Sequence, residues 1–283
     1  MLCGAVDARP WLTNCPDYYL QKCVPVDYVE CAACSLIQQY PLPHDVSALY
    51  ADYPVHTARS TVQRLARRIF QRQVYFRPEG GSKHLTLLDY GCGDGTFLRE
   101  MKSRFKTVYG FEPGDEHASS LAGQTGVPVD SSAETLCAER SGTVDVITAH
   151  YVLEHVEDLR GTFKTFRTLL KPGGTLYIAV PNIRSWEARL FRQRWHGLDA
   201  PRHLVFPEAV HFEKLAKESG FNTPQFSFAA FPNTLSASLA TLLTGRCHPA
   251  LLMGFILPCW LVALAAPQGT LIIQMVRENN SFL

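Results

Sequence analysis

The sequence predicts an α/β fold: a largely parallel sheet with helices on both faces. Three observations predict it. Short apolar runs alternate with helical patterns from Leu85 to Val180. A glycine-rich turn, Asp89-Tyr90-Gly91-Cys92-Gly93-Asp94-Gly95, follows the first run and opens a helix. The last run, Thr175–Val180, is bracketed by Lys171-Pro172-Gly173-Gly174 and Pro181-Asn182.

The chain of 283 residues is 46% hydrophobic and 19% charged, enough apolar matter for a sizeable core and against global disorder. Lys plus Arg is 27 and Asp plus Glu is 26, which argues against a broadly basic nucleic-acid binder and leaves room for a local basic patch. No nucleic-acid partner is expected. The start, MLCGAVDARP, lacks the basic and apolar pattern of a secretory leader. The nine cysteines are therefore expected to be reduced, in a cytoplasmic protein.

Taken in order, residues 1–43 form a Cys-rich module holding Cys3, Cys15, Cys23, Cys31 and Cys34, and Tyr40-Pro41-Leu42-Pro43 marks its boundary. Residues 44–82 read as a helical linker. In it Val62, Leu65, Ile69 and Val74 recur at near-helical spacing among Arg59, Arg64, Arg67, Arg68 and Arg72, which predicts an amphipathic basic helix over 56–76. Residues 83–283 form the main domain. Its strands are expected at Leu85–Asp89, Thr107–Phe111, Val127–Val129, Val144–Ala149 and Thr175–Val180, and its helices at Thr96–Arg104, Asp115–Gly123 and Leu159–Leu170. Residues 183–210 read as a lid-like insertion, opened by the aromatic and Arg-rich stretch Ile183–Trp195. Residues 235–267 read as an apolar helical segment.

The glycine turn carries the chemistry. Glycines let a ligand approach the backbone, and the helix behind them presents unpaired N–H groups. The dinucleotide spacing Gly-x-Gly-x-x-Gly fails, because Gly95 comes one residue early and Thr96 takes its place; this argues against a nicotinamide-dependent oxidoreductase. Glu112 ends the next strand, and an ionised carboxylate there can accept both hydroxyl hydrogens of a ribose.

With these residues in place, the sequence resembles the class I S-adenosylmethionine-dependent methyltransferases. LLDYGCGDGTFL resembles their cofactor loop, GFEPG their second motif, and VDVITAHYVLEHVEDL with LLKPGGTLYIAVPN their fourth-strand and fifth-strand motifs. The resemblance runs from about Leu85 to Asn182. It implies a Rossmann-like seven-stranded sheet of order 3-2-1-4-5-7-6 with strand 7 antiparallel, strand 6 near Gln225–Phe231 and strand 7 near Thr270–Val276. Carried over by position, it implies that Gly91, Cys92, Gly93 and Gly95 pack under the cofactor, Asp89 contacts its methionine part and Glu112 holds its ribose. Asp130 and Ser131 stand where an adenine contact follows strand 3, and His150 and Tyr151 face the transferred methyl group. WHGLDAPRHL resembles a segment in a subgroup with an N-terminal zinc ribbon.

An oxygen or nitrogen acceptor also needs a base. His150 and His155 are the first candidates, since imidazole titrates near neutrality, although each also suits a structural role. Arg202 and His203 come next. Cys31-Ala32-Ala33-Cys34 has the spacing of one zinc knuckle. In the resembling subgroup a first knuckle precedes it, and Leu2-Cys3-Gly4 matches that knuckle's end. Its partner would fall before Met1, or Cys15 or Cys23 replaces it, so the expected ligands of a structural zinc are Cys3, Cys15, Cys31 and Cys34. Ala250–Ala266 is at the short limit of a membrane span and contains Pro258. The expected roles are a cap on the site, a homodimer contact or peripheral membrane contact. The expected reaction is methyl transfer from S-adenosylmethionine to a small-molecule, saccharide or lipid-linked acceptor, first of all at oxygen. The rival is a non-catalytic module of the same fold that binds a protein partner.

Overall fold

The computed structural model describes residues 2–46, 49, 73–77 and 81–279. The basic helix expected over 56–76 lies outside these up to residue 72. Eleven described strands build two sheets. The larger sheet has seven: β4 (Thr86–Tyr90), β5 (Thr107–Phe111), β6 (Val129–Asp130), β7 (Val144–His150), β8 (Leu170–Pro181), β10 (Gln225–Ala229) and β11 (Thr270–Val276). Their spatial order is β10-β11-β8-β7-β4-β5-β6. Numbered within this sheet alone, that is 3-2-1-4-5-7-6, the order the resemblance implies. The inner pairs are parallel, and β11 runs antiparallel to both β8 and β10.

Side chains alternate across this sheet as the period of two demands. Leu88, Ile147, Ala149, Leu176, Ile178, Leu271 and Ile273 enter one core, with Phe163 and Phe166 of α4 (Leu159–Leu169) and Phe212 of α6 (Ala209–Ser219). Leu87, Val108 and Val146 point the other way, onto Phe97, Leu98 and Met101 of α1 (Thr96–Met101) and Leu121 of α2 (Asp115–Thr125). Buried on both faces, these strands read as nearly continuous apolar runs. Side-chain caps start several of the helices. Ser132 accepts the Thr135 N–H ahead of α3 (Ala133–Arg140), and Asp158 accepts the Gly161 N–H ahead of α4.

The smaller sheet joins β1 (Ala8–Cys15), β2 (Val26–Cys31) and β3 (Ile37–Tyr40) to β9 (Val205–Phe206), all antiparallel. Its fourth strand thus comes from the 183–210 segment, expected as a lid. That segment starts with α5 (Trp186–Phe191) and packs Ile183, Phe191, Trp195 and Leu198 against Leu12, Tyr28 and Ile37 in a shared core. Between β10 and β11 the chain forms a hairpin of α7 (Pro232–Thr244) and α8 (Pro249–Ala265). No helix among the described residues is long and apolar enough to cross a membrane.

Candidate functional site

The site lies at the carboxyl ends of β4, β5 and β7. Gly91, Gly93 and Gly95 all adopt positive φ, at 75°, 55° and 68°, a region closed to most side chains. A Cβ at Gly91 would collide with the Val152 side chain, and one at Gly95 would lie 2.7 Å from Thr125 Cγ2. The loop is pinned from behind, because the Gly91 and Cys92 N–H groups both donate to the Phe111 carbonyl, at 2.8 and 3.0 Å. Cys92 is buried, and burial pushes its thiol far up, with Asp89 and Glu112 adding to the effect. It packs under the loop as an inert apolar residue.

Glu112 accepts the Gly93 N–H through Oε2 at 2.8 Å. Burial pushes its carboxyl up to about 7, against the Gly93 amide and with the Asp89 charge. Asp89 is buried, and parallel pairing places Thr148 opposite it. Thr148 Oγ1 donates to Asp89 Oδ1 at 2.8 Å, and His150 Nδ1 lies 3.4 Å from the same oxygen. The other ring nitrogen of His150 accepts the Phe76 N–H at 3.2 Å. An amide nitrogen can only donate, so Nε2 carries the lone pair and Nδ1 the hydrogen. Tyr75, Phe97 and Tyr177 enclose the ring, with centroids 4.8, 4.8 and 5.7 Å away. His150 therefore reaches the site as a neutral, caged ring that braces Asp89. Its basic nitrogen already holds a hydrogen bond.

The remaining sequence candidates divide. Asp130 Oδ2 accepts from Arg140 Nε at 3.2 Å, and Arg140 also covers the Tyr109 ring at 3.9 Å. The Ser131 hydroxyl donates to Asp115. Both stand beside Glu112, whose N–H donates to the Asp130 carbonyl at 3.0 Å. Tyr151 follows His150 at φ 57°, which turns its ring onto Phe231 at 5.0 Å and its hydroxyl onto Thr270 Oγ1 at 2.7 Å. His155 does not join these groups. Its Nδ1 donates to the Arg202 carbonyl at 3.0 Å, and its ring meets His203 edge-on at 4.7 Å.

His155 belongs to a second, buried polar cluster. Glu154 is fully buried, neither of its oxygens has a hydrogen-bond partner among the described residues, and burial raises its carboxyl to about 8, so it holds a proton at neutral pH. His203 Nδ1 donates to the Gly197 carbonyl at 2.9 Å, and burial drives its pKa well down, helped by His155. Arg202, fully buried, binds Asp17 at 2.9 Å and Asp199 at 2.7 Å. Burial pushes Asp199 up, but His203 and Arg202 outweigh it and hold the carboxyl down at about 2. Tyr28 donates to the His203 carbonyl at 2.9 Å. Arg202 and His203 thus tie the small sheet to the main domain.

Cys3, Cys31 and Cys34 converge, with all three sulfur atoms within 4.8 Å of one another and Cys3 Sγ 3.4 Å from Cys31 Sγ. Two thiolates on one tetrahedral zinc sit about 3.8 Å apart, so the trio fits three corners of such a site. Hydrogen bonds from the Ala5 backbone and the two neighbouring thiols lower Cys3 to about 7, which favours the ligating thiolate. Cys15 stands apart. Strand β1 pairs Ala8 with Cys31 but Cys15 with Val26, so Cys15 occupies the far end of the hairpin. It is buried against apolar neighbours, and burial raises its thiol to about 12. Cys15 therefore corrects the expected ligand set, because a strand is too stiff to return it to the cluster. All nine cysteines are outside disulfides.

Two features escape the motif reading. The segment around Tyr75 and Phe76 packs on His150, yet it precedes every methyltransferase motif. Glu187 on α5 is fully buried, and burial raises its carboxyl to about 7 against the pull of the Trp195 side chain. A Cβ at Gly269 would lie 3.2 Å from its Oε1, beside Thr270 and the Phe231 amide. A glutamate in an amphipathic stretch gives no sequence signal of this placement.

The comparisons agree with this geometry. Residues 56–225 match the family described as a methyltransferase domain. The chain is 35% identical over 148 residues to a ubiquinone biosynthesis O-methyltransferase of Rhizobium etli, covering 50% of this chain and 57% of that protein. It is 30% identical over 156 residues to the protein of that name from Pseudomonas paraeruginosa, covering 48% and 67%. It spans between about half and two thirds of the length of these relatives. A Haemonchus contortus phosphoethanolamine N-methyltransferase 2 superposes at TM-score 0.52 with 15% identity, over 86% of this chain and 63% of that one. A SAM-dependent methyltransferase from Archaeoglobus fulgidus superposes at 0.51 with 15% identity, over 82% and 100%. At that identity the likeness is one of fold. Since the family match covers more than half of the chain and the strand order agrees with it, this chain belongs to the class I S-adenosylmethionine-dependent methyltransferase family.

Proposed function

We propose that this chain methylates an oxygen atom of a small-molecule, saccharide or lipid-linked acceptor, using S-adenosylmethionine. The observation that carries the reading is the three-glycine turn at positive φ with Glu112 hydrogen-bonded to its centre. The relatives named as O-methyltransferases favour oxygen. The sulfonium of the cofactor supplies an activated methyl group, and the protein supplies proximity and orientation. Glu112 accepts hydrogen bonds from the ribose hydroxyls, while the glycine backbone admits the adjoining chain of the ligand. Asp89, braced by Thr148 and His150, holds the amino-acid end. Tyr151 and Phe231 wall the acceptor side.

The acceptor hydroxyl must lose its proton. With His150 Nε2 bonded to Phe76 and His155 turned into the second cluster, we assign that proton to Glu187. Its carboxyl stands near neutrality beside Gly269, next to Thr270, and a pKa near the working pH suits a general base. A structural zinc on Cys3, Cys31 and Cys34 would sit away from this chemistry.

Calorimetric titration with S-adenosylhomocysteine, on the wild type and Glu112→Ala, tests the reading. Micromolar binding that weakens sharply in the variant supports it and opens an acceptor screen with labelled methyl donor. Absence of binding by folded wild-type protein overturns it and favours the non-catalytic module.

A further inference from the structure

The helical hairpin between β10 and β11 carries a surface the sheet does not need. From Pro232 to Val276, Arg246 is the sole residue among Asp, Glu, Lys and Arg. α7 turns inward, burying Leu235, Ala237, Ala240 and Thr241. α8 lies outside it, and among its described residues only Cys259 and Ala263 are buried. Met253, Leu257 and Leu261 stand 55–60% exposed at successive spacings of four, which places them on one face, and Val262, 50% exposed, lies farther round the helix. Leu242 and Leu243, also more than half exposed, extend the patch from the end of α7.

The exposed side chains of this face are aliphatic, with the half-buried Trp260 at its edge. Interfaces between proteins typically carry a hydrogen bond per roughly 100–200 Å² and favour aromatic residues and arginine. A helix face of aliphatic side chains edged by a tryptophan, with cations at its margin, suits a bilayer surface instead. The cations are present. Arg189, Arg192 and Arg194 are exposed on α5 and the turn after it, which pack against α7, and exposed Arg246 lies in the α7–α8 turn. Leu190, 65% exposed, stands among them.

The hairpin also begins and ends beside the site. Phe231, whose ring lies 5.0 Å from that of Tyr151, precedes α7, and Thr270, bonded to the Tyr151 hydroxyl, follows α8. Trp186 Nε1 donates to the Ala266 carbonyl at 3.3 Å and fixes the exit of α8 to α5. We infer that the α7–α8 hairpin docks the protein on an anionic lipid surface, with α8 lying in its plane, and brings the acceptor side of the site to a lipid-linked acceptor. This rests on the methyltransferase reading above for its purpose, though not for the contact itself.

Vesicle flotation of the full chain tests it, with phosphatidylcholine vesicles with and without phosphatidylglycerol. The wild type floats with the anionic vesicles. Leu257→Glu with Leu261→Glu abolishes flotation, and Arg192→Glu with Arg194→Glu weakens it roughly tenfold, as does raised salt. Failure of the wild type to float, or flotation unchanged by the leucine pair, overturns the inference. So does a sedimenting dimer that the leucine pair dissociates, which assigns the face to a second copy. S-adenosylhomocysteine titration of the same proteins separates the two readings. Binding without flotation sinks the lipid contact alone, and flotation without binding sinks the methyltransferase reading alone.

Discussion

Glutamine at position 112 removes one buried negative charge and keeps the side-chain shape. In the folded wild type this carboxyl titrates at about 7 rather than at 4.5, because burial and Asp89 disfavour its charge more than the Gly93 amide supports it. The folded state therefore holds a proton that the unfolded chain releases between pH 4.5 and 7, and stability falls as pH rises through that window. The difference corresponds to about 3 kcal/mol at pH 8, as an order of magnitude. Glu112→Gln removes this slope and raises the unliganded protein's stability at pH 8. Ligand affinity moves the other way. Two ribose hydroxyls bind best to the ionised form, so S-adenosylhomocysteine affinity rises with pH and falls about tenfold from its plateau at pH 6. Charge-assisted bonds contribute about 1.5–3 kcal/mol, so the variant loses about tenfold to a hundredfold in affinity and shows no pH dependence. Urea denaturation and calorimetry across pH 5.5 to 8.5 read both effects. Wild-type affinity that is flat with pH, or a variant that binds as tightly as the wild type, refutes the assignment of Glu112 to the ribose.

Arg202→Met leaves Asp17 and Asp199 buried without their counter-charge and should cost about 3–5 kcal/mol in urea denaturation. Because Asp199 is held at about 2, below its ordinary 3.8, the stability it contributes is present above pH 4 and is lost as pH falls toward 2. Gly91→Ala forces a side chain into positive φ and against Val152, so a loss of roughly 1–3 kcal/mol is expected, with weaker cofactor binding by calorimetry. Protein grown with zinc should carry one metal ion by mass spectrometry, lost in Cys31→Ser and kept in Cys15→Ser. Glu187→Gln should lower kcat by about a hundredfold and remove the acidic limb of the pH–rate profile, leaving S-adenosylhomocysteine affinity intact.

The parallel core was legible because each of its strands is a short apolar run bounded by glycine, proline or a helix start. β5 and β11 carry the limits the sequence suggested, and β4 and β7 end one residue later. β8 starts at Leu170, since pairing with β7 begins at Val144 and passes through Lys171-Pro172-Gly173-Gly174 with a register shift. The glycine turn and Glu112 were legible from spacing. The small sheet was not, because β1 mixes exposed and buried residues irregularly and β9 is two residues long. Nor was the cage around His150, whose walls come from the distant positions Tyr75, Phe97 and Tyr177. Cys15 misled because residue count along a chain says nothing of which end of a hairpin a thiol occupies.

The pairing of β3 with β9 bears on how this chain can be divided. Ile37 and Gln38 meet Phe206 and Val205, and Asp17 meets Arg202, so the first forty residues complete a layer that the following domain begins. Excising residues 83–283 at the apparent boundary would leave a bare strand edge, an uncovered Trp195 and a buried arginine short of one carboxylate. Such a fragment invites aggregation through that edge. Chimeras that exchange the first forty residues between relatives would have to carry the segment from 183 to 206 with them.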